Sequence, residues 1–188
     1  MCIYILLRVL LVFKLSIKVF PPTTHIQTTR SQPIRHVRVE LLPSPSTMPS
    51  GSCFCEKVKY SYEGDIQGKA LCHCRDCQKI TGSTYSTNII VPGDNFKVTA
   101  GSPKEFSKTA DSGNKITSHF CGDCGSTLWR DGATFGPNKV IKVGSLDDSK
   151  ALEDAKPGVE LYVPERISWV HGVQEASQLK GMPGSAEV

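Results

Sequence analysis

The sequence lacks an uninterrupted apolar run long enough to cross a membrane. Met1–Phe20 is rich in Leu, Ile and Val, but Arg8, Lys14 and Lys18 interrupt it before it reaches the roughly 20 apolar residues that a membrane helix needs. This stretch also lacks the charged start and the small-residue cleavage site of a secretory signal. The sequence therefore predicts neither a transmembrane helix nor a secretory signal.

The first 39 residues include no Asp or Glu, and the rest of the sequence has no excess of basic over acidic residues. Residues 1–39 carry six Lys and Arg and no Asp or Glu, whereas residues 48–188 carry 16 basic and 17 acidic side chains. The formal net charge of +4 therefore belongs to the N-terminal segment. Without a basic surface elsewhere, the sequence predicts no nucleic-acid partner.

The two parts of the chain also differ in organisation. Residues 21–47 form a Pro-, Thr- and Ser-rich stretch without an apolar period, which is typical of linkers and disorder. Residues 1–47 are interpreted as a disordered, targeting or mis-annotated extension, the last arising from an upstream translation start. Residues 48–188 are predicted to form one globular domain. The predicted location is the cytoplasm, or the mitochondrion if the extension is a real targeting segment.

Long helical periods are missing from residues 48–188, and strands do not alternate with helices, which excludes a doubly wound sheet. Val58, Tyr60 and Tyr62 alternate with polar residues that include Ser61, the pattern of a half-buried strand. Further strands are predicted at Ser86–Val91, Asn95–Thr99, Glu105–Thr109, Lys115–Phe120, Ser126–Arg130 and Val140–Val143, with helical turns after Cys74 and at Ser149–Ala155. The predicted fold is mainly β and antiparallel, with few short helices.

Cysteine is abundant, and seven of the eight cysteines lie in the predicted domain in three closely spaced groups. The groups are Cys53 with Cys55, then Cys72, Cys74 and Cys77, then Cys121 with Cys124. An odd number, a missing secretory signal and spacings of two residues favour metal-binding thiolates over disulfides. Sulfurs so closely spaced on a turn can converge on one ion at about 2.3 Å. This predicts zinc, although thiolates also suit copper(I) and iron–sulfur clusters.

Seven ligands can divide into four and three in two ways. In the first, Cys53 and Cys55 join the Cys121–Cys124 turn in a closed structural site, and Cys72, Cys74 and Cys77 form an open site. In the second, Cys74 and Cys77 join that turn as in a zinc ribbon. The spacing favours the first because a C-x-C-x-x-C turn can place all three sulfurs on one ion, and the second stays open.

The three groups and their flanking residues resemble the glutathione-dependent formaldehyde-activating family, which includes centromere protein V and many uncharacterised fungal proteins. The matching segments, between Gly51 and Trp169, are GSCFCEKVKYSYEG, ALCHCRDCQKITGS and HFCGDCGSTLWRDG. The resemblance implies an antiparallel β-tent that holds two zinc ions. It also implies a structural zinc on Cys53, Cys55, Cys121 and Cys124, and a labile or catalytic zinc on Cys72, Cys74 and Cys77.

The resemblance implies a zinc-dependent carbon–sulfur lyase that acts on glutathione adducts, like S-hydroxymethylglutathione synthase. An open site of three thiolates suits a small thiol as the fourth ligand and suits water activation poorly. The predicted partners are glutathione and a small electrophile such as formaldehyde. Two alternatives stay open: a non-catalytic zinc module that binds a protein, and a tailoring lyase or thiol transferase acting on a larger metabolite.

Other chemistry-bearing residues receive mainly structural interpretations. His73 lies between two cysteines, and we expect its side chain to point away from their metal. Arg75 and Asp76 are interpreted either as contacts to glutathione or as an ion pair with each other. Trp129 and Trp169 are predicted to fill the core or to flank the site.

Overall fold

The structure, a computed structural model, describes residues 48–110 and 113–188. The interpretations of residues 1–47 lie outside the described residues. The described chain forms two short helices, α1 (Arg75–Thr81) and α2 (Ser149–Asp154), and the strands β1 (Ser50–Ser52), β2 (Lys59–Tyr62), β3 (Gly68–Cys72), β4 (Ser86–Pro92), β5 (Phe96–Ala100), β6 (Lys104–Thr109), β7 (Lys115–Phe120), β8 (Thr127–Gly132), β9 (Asn138–Lys142), β10 (Val159–Leu161) and β11 (Ser177–Gln178). The mainly β fold with few short helices is confirmed. None of the helices described is long and apolar enough to cross a membrane.

The strands form two sheets. Strands β1, β2 and β5 make an antiparallel sheet, and the other eight follow the order β11-β10-β3-β4-β9-β8-β7-β6. Pairing is antiparallel except that β10 runs parallel to both β3 and β11. These parallel pairings place the C-terminal part of the chain beside β3, the strand that ends at Cys72.

An apolar core joins the two sheets. Tyr60 of β2 and Trp129 of β8 are buried, and Phe96 of β5 lies between them with ring centroids 5.3 Å from Tyr60 and 4.7 Å from Trp129. Ile89 of β4 and Ile141 of β9 belong to the same buried cluster. Burying each of these large side chains contributes about 1.5–3 kcal/mol. The core therefore fixes β4, β8 and β9 in position. The alternate residues of these strands lie on the opposite face of the sheet.

Two expectations about burial are wrong. Ser61, expected on the exposed side of its strand, is 9% exposed because β2 is the middle strand of its sheet. Trp169 is 69% exposed and takes no part in the core, whereas Trp129 is buried as predicted.

The sequence missed four strands: β1, β3, β10 and β11. Strands β1, β10 and β11 have three residues or fewer, too few to display a period of two. Strand β3 ends in three consecutive buried residues, Ala70, Leu71 and Cys72, and therefore does not alternate. Both β3 and β10 contribute to the site described next.

Candidate functional site

The first cysteine cluster joins the turn after β1 to the turn between β7 and β8. Cys55 Sγ lies 3.5 Å from Cys53 Sγ and 3.7 Å from Cys121 Sγ, and Cys124 completes a group of four sulfurs within 4.8 Å of one another. The second turn is closed by a hydrogen bond of 2.9 Å from the Gly125 amide to the Cys121 carbonyl. It requires a φ of +76° at Gly125, a conformation that glycine adopts without strain.

Ser126 forms hydrogen bonds with the sulfur of Cys124. Its hydroxyl lies 3.3 Å from Cys124 Sγ and accepts a hydrogen bond of 3.1 Å from the Phe54 amide. Hydrogen bonds from the Ser126 hydroxyl and amide lower the pKa of Cys124 to about 5. The turn therefore favours a thiolate, the form of cysteine that binds metal.

The second cluster lies where β3 ends and α1 begins. Cys72 is the last residue of β3, Cys74 is the N-cap of α1, and Cys77 lies in the first turn of that helix. The Cys77 amide donates a hydrogen bond to Cys74 Sγ over 3.5 Å, and the three sulfurs lie within 4.8 Å of one another. A strand end followed directly by a helix N-terminus thus brings the three sulfurs together.

Both clusters fit a thiolate metal site. Tetrahedral zinc with bonds of about 2.3 Å holds its sulfurs about 3.8 Å apart, close to the separations of 3.5 and 3.7 Å in the first cluster. These distances are much longer than a disulfide bond of about 2.0 Å, and the seven described cysteines are free thiols. The sulfurs gather as four and three, so the ribbon-like division, which needs Cys74 and Cys77 beside Cys121, does not form.

The two clusters differ in their access to open space. The three-cysteine cluster lies in the wall of a cavity of about 570 Å³, to which β4, β8, β9, α1 and the C-terminal residues Met182 and Pro183 also contribute. That volume is typical of small-molecule sites. A second cavity of about 600 Å³ borders the four-cysteine cluster, is lined largely by hydroxyl side chains and includes only Cys53 among the described cysteines.

Two buried basic side chains also line the cavity of the three-cysteine cluster. Arg130 of β8 and Lys142 of β9 are each 6% exposed. Lys142 Nζ donates hydrogen bonds of 2.8 Å to Ser86 Oγ and to Asn88 Oδ1. Hydrogen bonds within the cluster, and then the charges of Lys142 and Arg130, hold the pKa of Cys77 well below its usual range. The two basic side chains therefore favour the thiolate form of Cys77.

His73 does not join the sulfurs, in agreement with the expectation that it points elsewhere. Its side chain is fully buried, and Nε2 lies 2.9 Å from Glu160 Oε2 on β10. Glu160 also accepts hydrogen bonds from Arg166 Nη1, at 3.0 Å, and from the Val173 amide. Burial raises the pKa of Glu160, but these three donors hold it below its usual value. His73 thus connects the cysteine loop to the C-terminal segment.

The ion pair expected between Arg75 and Asp76 does not form. Arg75 Nη1 donates to Gln78 Oε1 over 2.8 Å, whereas Asp76 Oδ1 accepts a hydrogen bond of 2.6 Å from Lys108 Nζ. Successive residues of a helix do not face each other, which explains why the two side chains find different partners. Both line the same cavity.

Sequence reasoning missed Arg130, Lys142 and Glu160. Arg130 and Lys142 each follow buried apolar residues within a strand. Charged side chains are almost never fully buried unless paired, so a charged residue at such a position is the one hint of a functional role that the sequence offers. Glu160 carries no such signal, because its partner His73 is 87 positions away in the sequence and β10 is too short to predict.

A comparison with protein families agrees with this organisation. A family model described as "Glutathione-dependent formaldehyde-activating enzyme" matches residues 48–165, a range that includes both cysteine clusters. Among solved structures, a protein from Rhodobacter sphaeroides is 16% identical to this chain, with a TM-score of 0.45. The match covers 55% of this chain and 94% of that one.

Proposed function

Because the chain belongs to the glutathione-dependent formaldehyde-activating enzyme family, we propose that it is a zinc-dependent enzyme that adds glutathione to formaldehyde or to another small electrophile. The observation that carries the proposal is that one cysteine cluster has three sulfurs and faces a cavity of about 570 Å³. We assign the reaction to Cys72, Cys74 and Cys77, and a structural zinc to Cys53, Cys55, Cys121 and Cys124.

The geometry supports thiol binding at the three-cysteine site. Zinc held there would keep one tetrahedral position for an outside ligand and would lower the pKa of a thiol in that position. The cavity has the volume of a site for a small peptide thiol. A fourth thiolate beside three others is costly, and Arg130 and Lys142, both buried in the same wall, offset part of that cost.

The proposed reaction is an addition. The sulfur of glutathione forms a bond to the carbon of formaldehyde, and the carbonyl oxygen takes a proton that replaces the one lost by the thiol, which gives S-hydroxymethylglutathione. The reverse reaction breaks the carbon–sulfur bond, which is lyase chemistry. Neither direction needs an oxidant or a reductant. The chain's own contribution is to keep the sulfur deprotonated and to hold the two reactants close together.

We also propose that residues 48–188 form one zinc-binding domain. We further propose that the protein acts in the cytoplasm. The seven described cysteines are free thiols, which suits a compartment where glutathione keeps thiols reduced. The family match begins at residue 48, the start of the proposed domain.

Initial rates of S-hydroxymethylglutathione formation test the proposal. Formaldehyde adds to glutathione without a catalyst, so wild type, Cys74→Ser and Asp154→Asn are compared at equal protein concentration. Asp154 forms an exposed pair with Lys150 on α2, outside the cavity, and its variant serves as the control. We expect Cys74→Ser to fall to the uncatalysed rate and Asp154→Asn to match wild type. A folded Cys74→Ser protein with the wild-type rate would contradict the proposal.

A further inference from the structure

Arg130 is a buried cation that no carboxylate of the described residues pairs with. Its side chain lines the cavity of the three-cysteine cluster, and no acidic group within residues 48–110 and 113–188 forms an ion pair with it. Its Nε is buried and has no hydrogen-bond partner among these residues. Folded proteins keep few such groups, because a buried donor without a partner is costly. Arg130 therefore keeps hydrogen-bonding capacity that the described residues do not use.

Thr134 lines the same cavity and carries a second polar atom without a hydrogen-bond partner among the described residues. Its Oγ1 is buried and, within the described part of the chain, has no hydrogen-bond partner. Strand β8 carries Arg130 and ends at Gly132, and Thr134 lies in the turn that follows. Both residues line the same cavity. A guanidinium and a hydroxyl are both donors that a carboxylate accepts well.

The sulfur cluster does not account for all of the positive charge in this wall. Three thiolates on one divalent zinc ion leave a single net negative charge, and a fourth thiolate from the substrate makes it two. The basic residues among the described residues that line the cavity outnumber these charges, and they are Lys69, Arg75, Lys79, Lys108, Arg130 and Lys142. Asp76 is the one acidic residue among the described residues that line the cavity, and it already pairs with Lys108. The lining therefore keeps an excess of positive charge, and a cavity with such an excess attracts anions.

We propose that Arg130 and Thr134 bind a carboxylate of the substrate and make the site selective for thiols that carry one. This inference rests on the proposed function, because it places the sulfur of the substrate at the three cysteines and its carboxylate at Arg130. Ile116 and Val140 line the same cavity and offer apolar contacts to the carbon chain between the two ends. Glutathione, which has carboxylates besides its thiol, belongs to this class.

Two thiols of similar length, one with a carboxylate and one without, distinguish binding through the carboxylate from binding through the sulfur. We would measure, by calorimetry, how 3-mercaptopropionate and 2-mercaptoethanol bind to the full-length, zinc-loaded protein. Charge-assisted hydrogen bonds are the strong ones, so wild type should bind 3-mercaptopropionate about tenfold more tightly. Arg130→Gln should bind the two thiols with about equal affinity, and Thr134→Val should reduce the preference by about threefold.

Lys97→Gln provides the matched control for the loss of one positive charge. Lys97 is exposed on β5 and does not line the cavity, so this variant should keep the tenfold preference. If Arg130→Gln does not fold, Arg130→Lys should show a reduced preference, since lysine cannot form the two-pronged contact.

The outcomes separate this inference from the proposed function. Wild type that binds both thiols equally would overturn the carboxylate subsite and leave the proposed function standing. Wild type that binds neither thiol would overturn both. A full tenfold preference in folded Arg130→Gln, or in both Arg130→Lys and Thr134→Val where the glutamine variant does not fold, would show that the carboxylate binds elsewhere.

Discussion

His73 Nε2 and Glu160 Oε2 lie 2.9 Å apart in the protein interior, although the two residues are 87 positions apart in the sequence. His73 occupies the single position between Cys72 and Cys74, and Glu160 lies on β10, which runs parallel to β3. The hydrogen bond therefore fastens the cysteine loop to the strand beside it. Metal-site geometry commonly depends on such supporting contacts.

We predict that Glu160→Gln destabilises the domain and loosens the three-cysteine site. The substitution removes the negative charge that His73 and Arg166 share, and weakening a buried, charge-assisted hydrogen bond costs about 1–3 kcal/mol. Asp154→Asn, which alters an exposed pair on α2, should leave the stability nearly unchanged, because exposed ion pairs contribute little. Urea unfolding of the two variants provides the comparison, and equal stabilities would count against this role for Glu160.

The two cysteine clusters should respond differently to mutation. Cys121→Ser should unfold the domain, because a closed structural zinc contributes directly to folding. Cys77→Ser should leave the domain folded with about one zinc ion in place of about two. Elemental analysis and circular dichroism measure both properties. An equal loss of structure in the two variants would mean that the sites are not divided into a structural and an open one.

Deletion of residues 1–47 should leave the fold and the zinc content unchanged. The segment contains a single cysteine, Cys2, and the family match begins at residue 48. The truncated protein should therefore have the same metal content and thermal midpoint as the full chain. Recovery of the truncated chain only as aggregate would show that the segment contributes to the folded domain.

Glutathione affinity should rise with pH and then level off. Metal sites bind the thiolate, so binding releases the thiol proton, and affinity should increase about tenfold per pH unit below the pKa of the free thiol, roughly 8.5. Above that pH the thiol is already ionised and the gain disappears. S-methylglutathione has no thiol proton and should bind weakly at every pH. Calorimetry between pH 6 and 9 measures both ligands, and a pH-independent affinity for glutathione would argue against thiolate binding.

The sequence predicted the parts of the structure that leave a periodic or closely spaced pattern. The buried alternate residues of β2 mark a strand, and closely spaced cysteines mark a metal site, because both follow from local backbone geometry. The grouping of Cys53 with Cys121 depends on how distant turns meet, so spacing alone left two arrangements open. Burial of Ser61 and exposure of Trp169 depend on which strands are central and which segments pack on the core, and no local pattern predicts this.

The electrostatic environment of the site was least accessible from the sequence. Lys142 looks like an ordinary exposed strand lysine until β4 and β9 pair and place it beside Asn88. Arg130 likewise becomes a cavity-lining residue only through the pairing of the neighbouring strands. These are tertiary contacts, which no local sequence pattern predicts.

The binding of glutathione to wild type and to Cys74→Ser tests the central claim most directly. Calorimetric titration of the zinc-loaded proteins should show glutathione binding to wild type, much weaker binding of S-methylglutathione, and loss of glutathione binding in Cys74→Ser while the four-cysteine site keeps its zinc. Equally tight binding of glutathione by wild type and folded Cys74→Ser would contradict the assignment of the thiol to Cys72, Cys74 and Cys77.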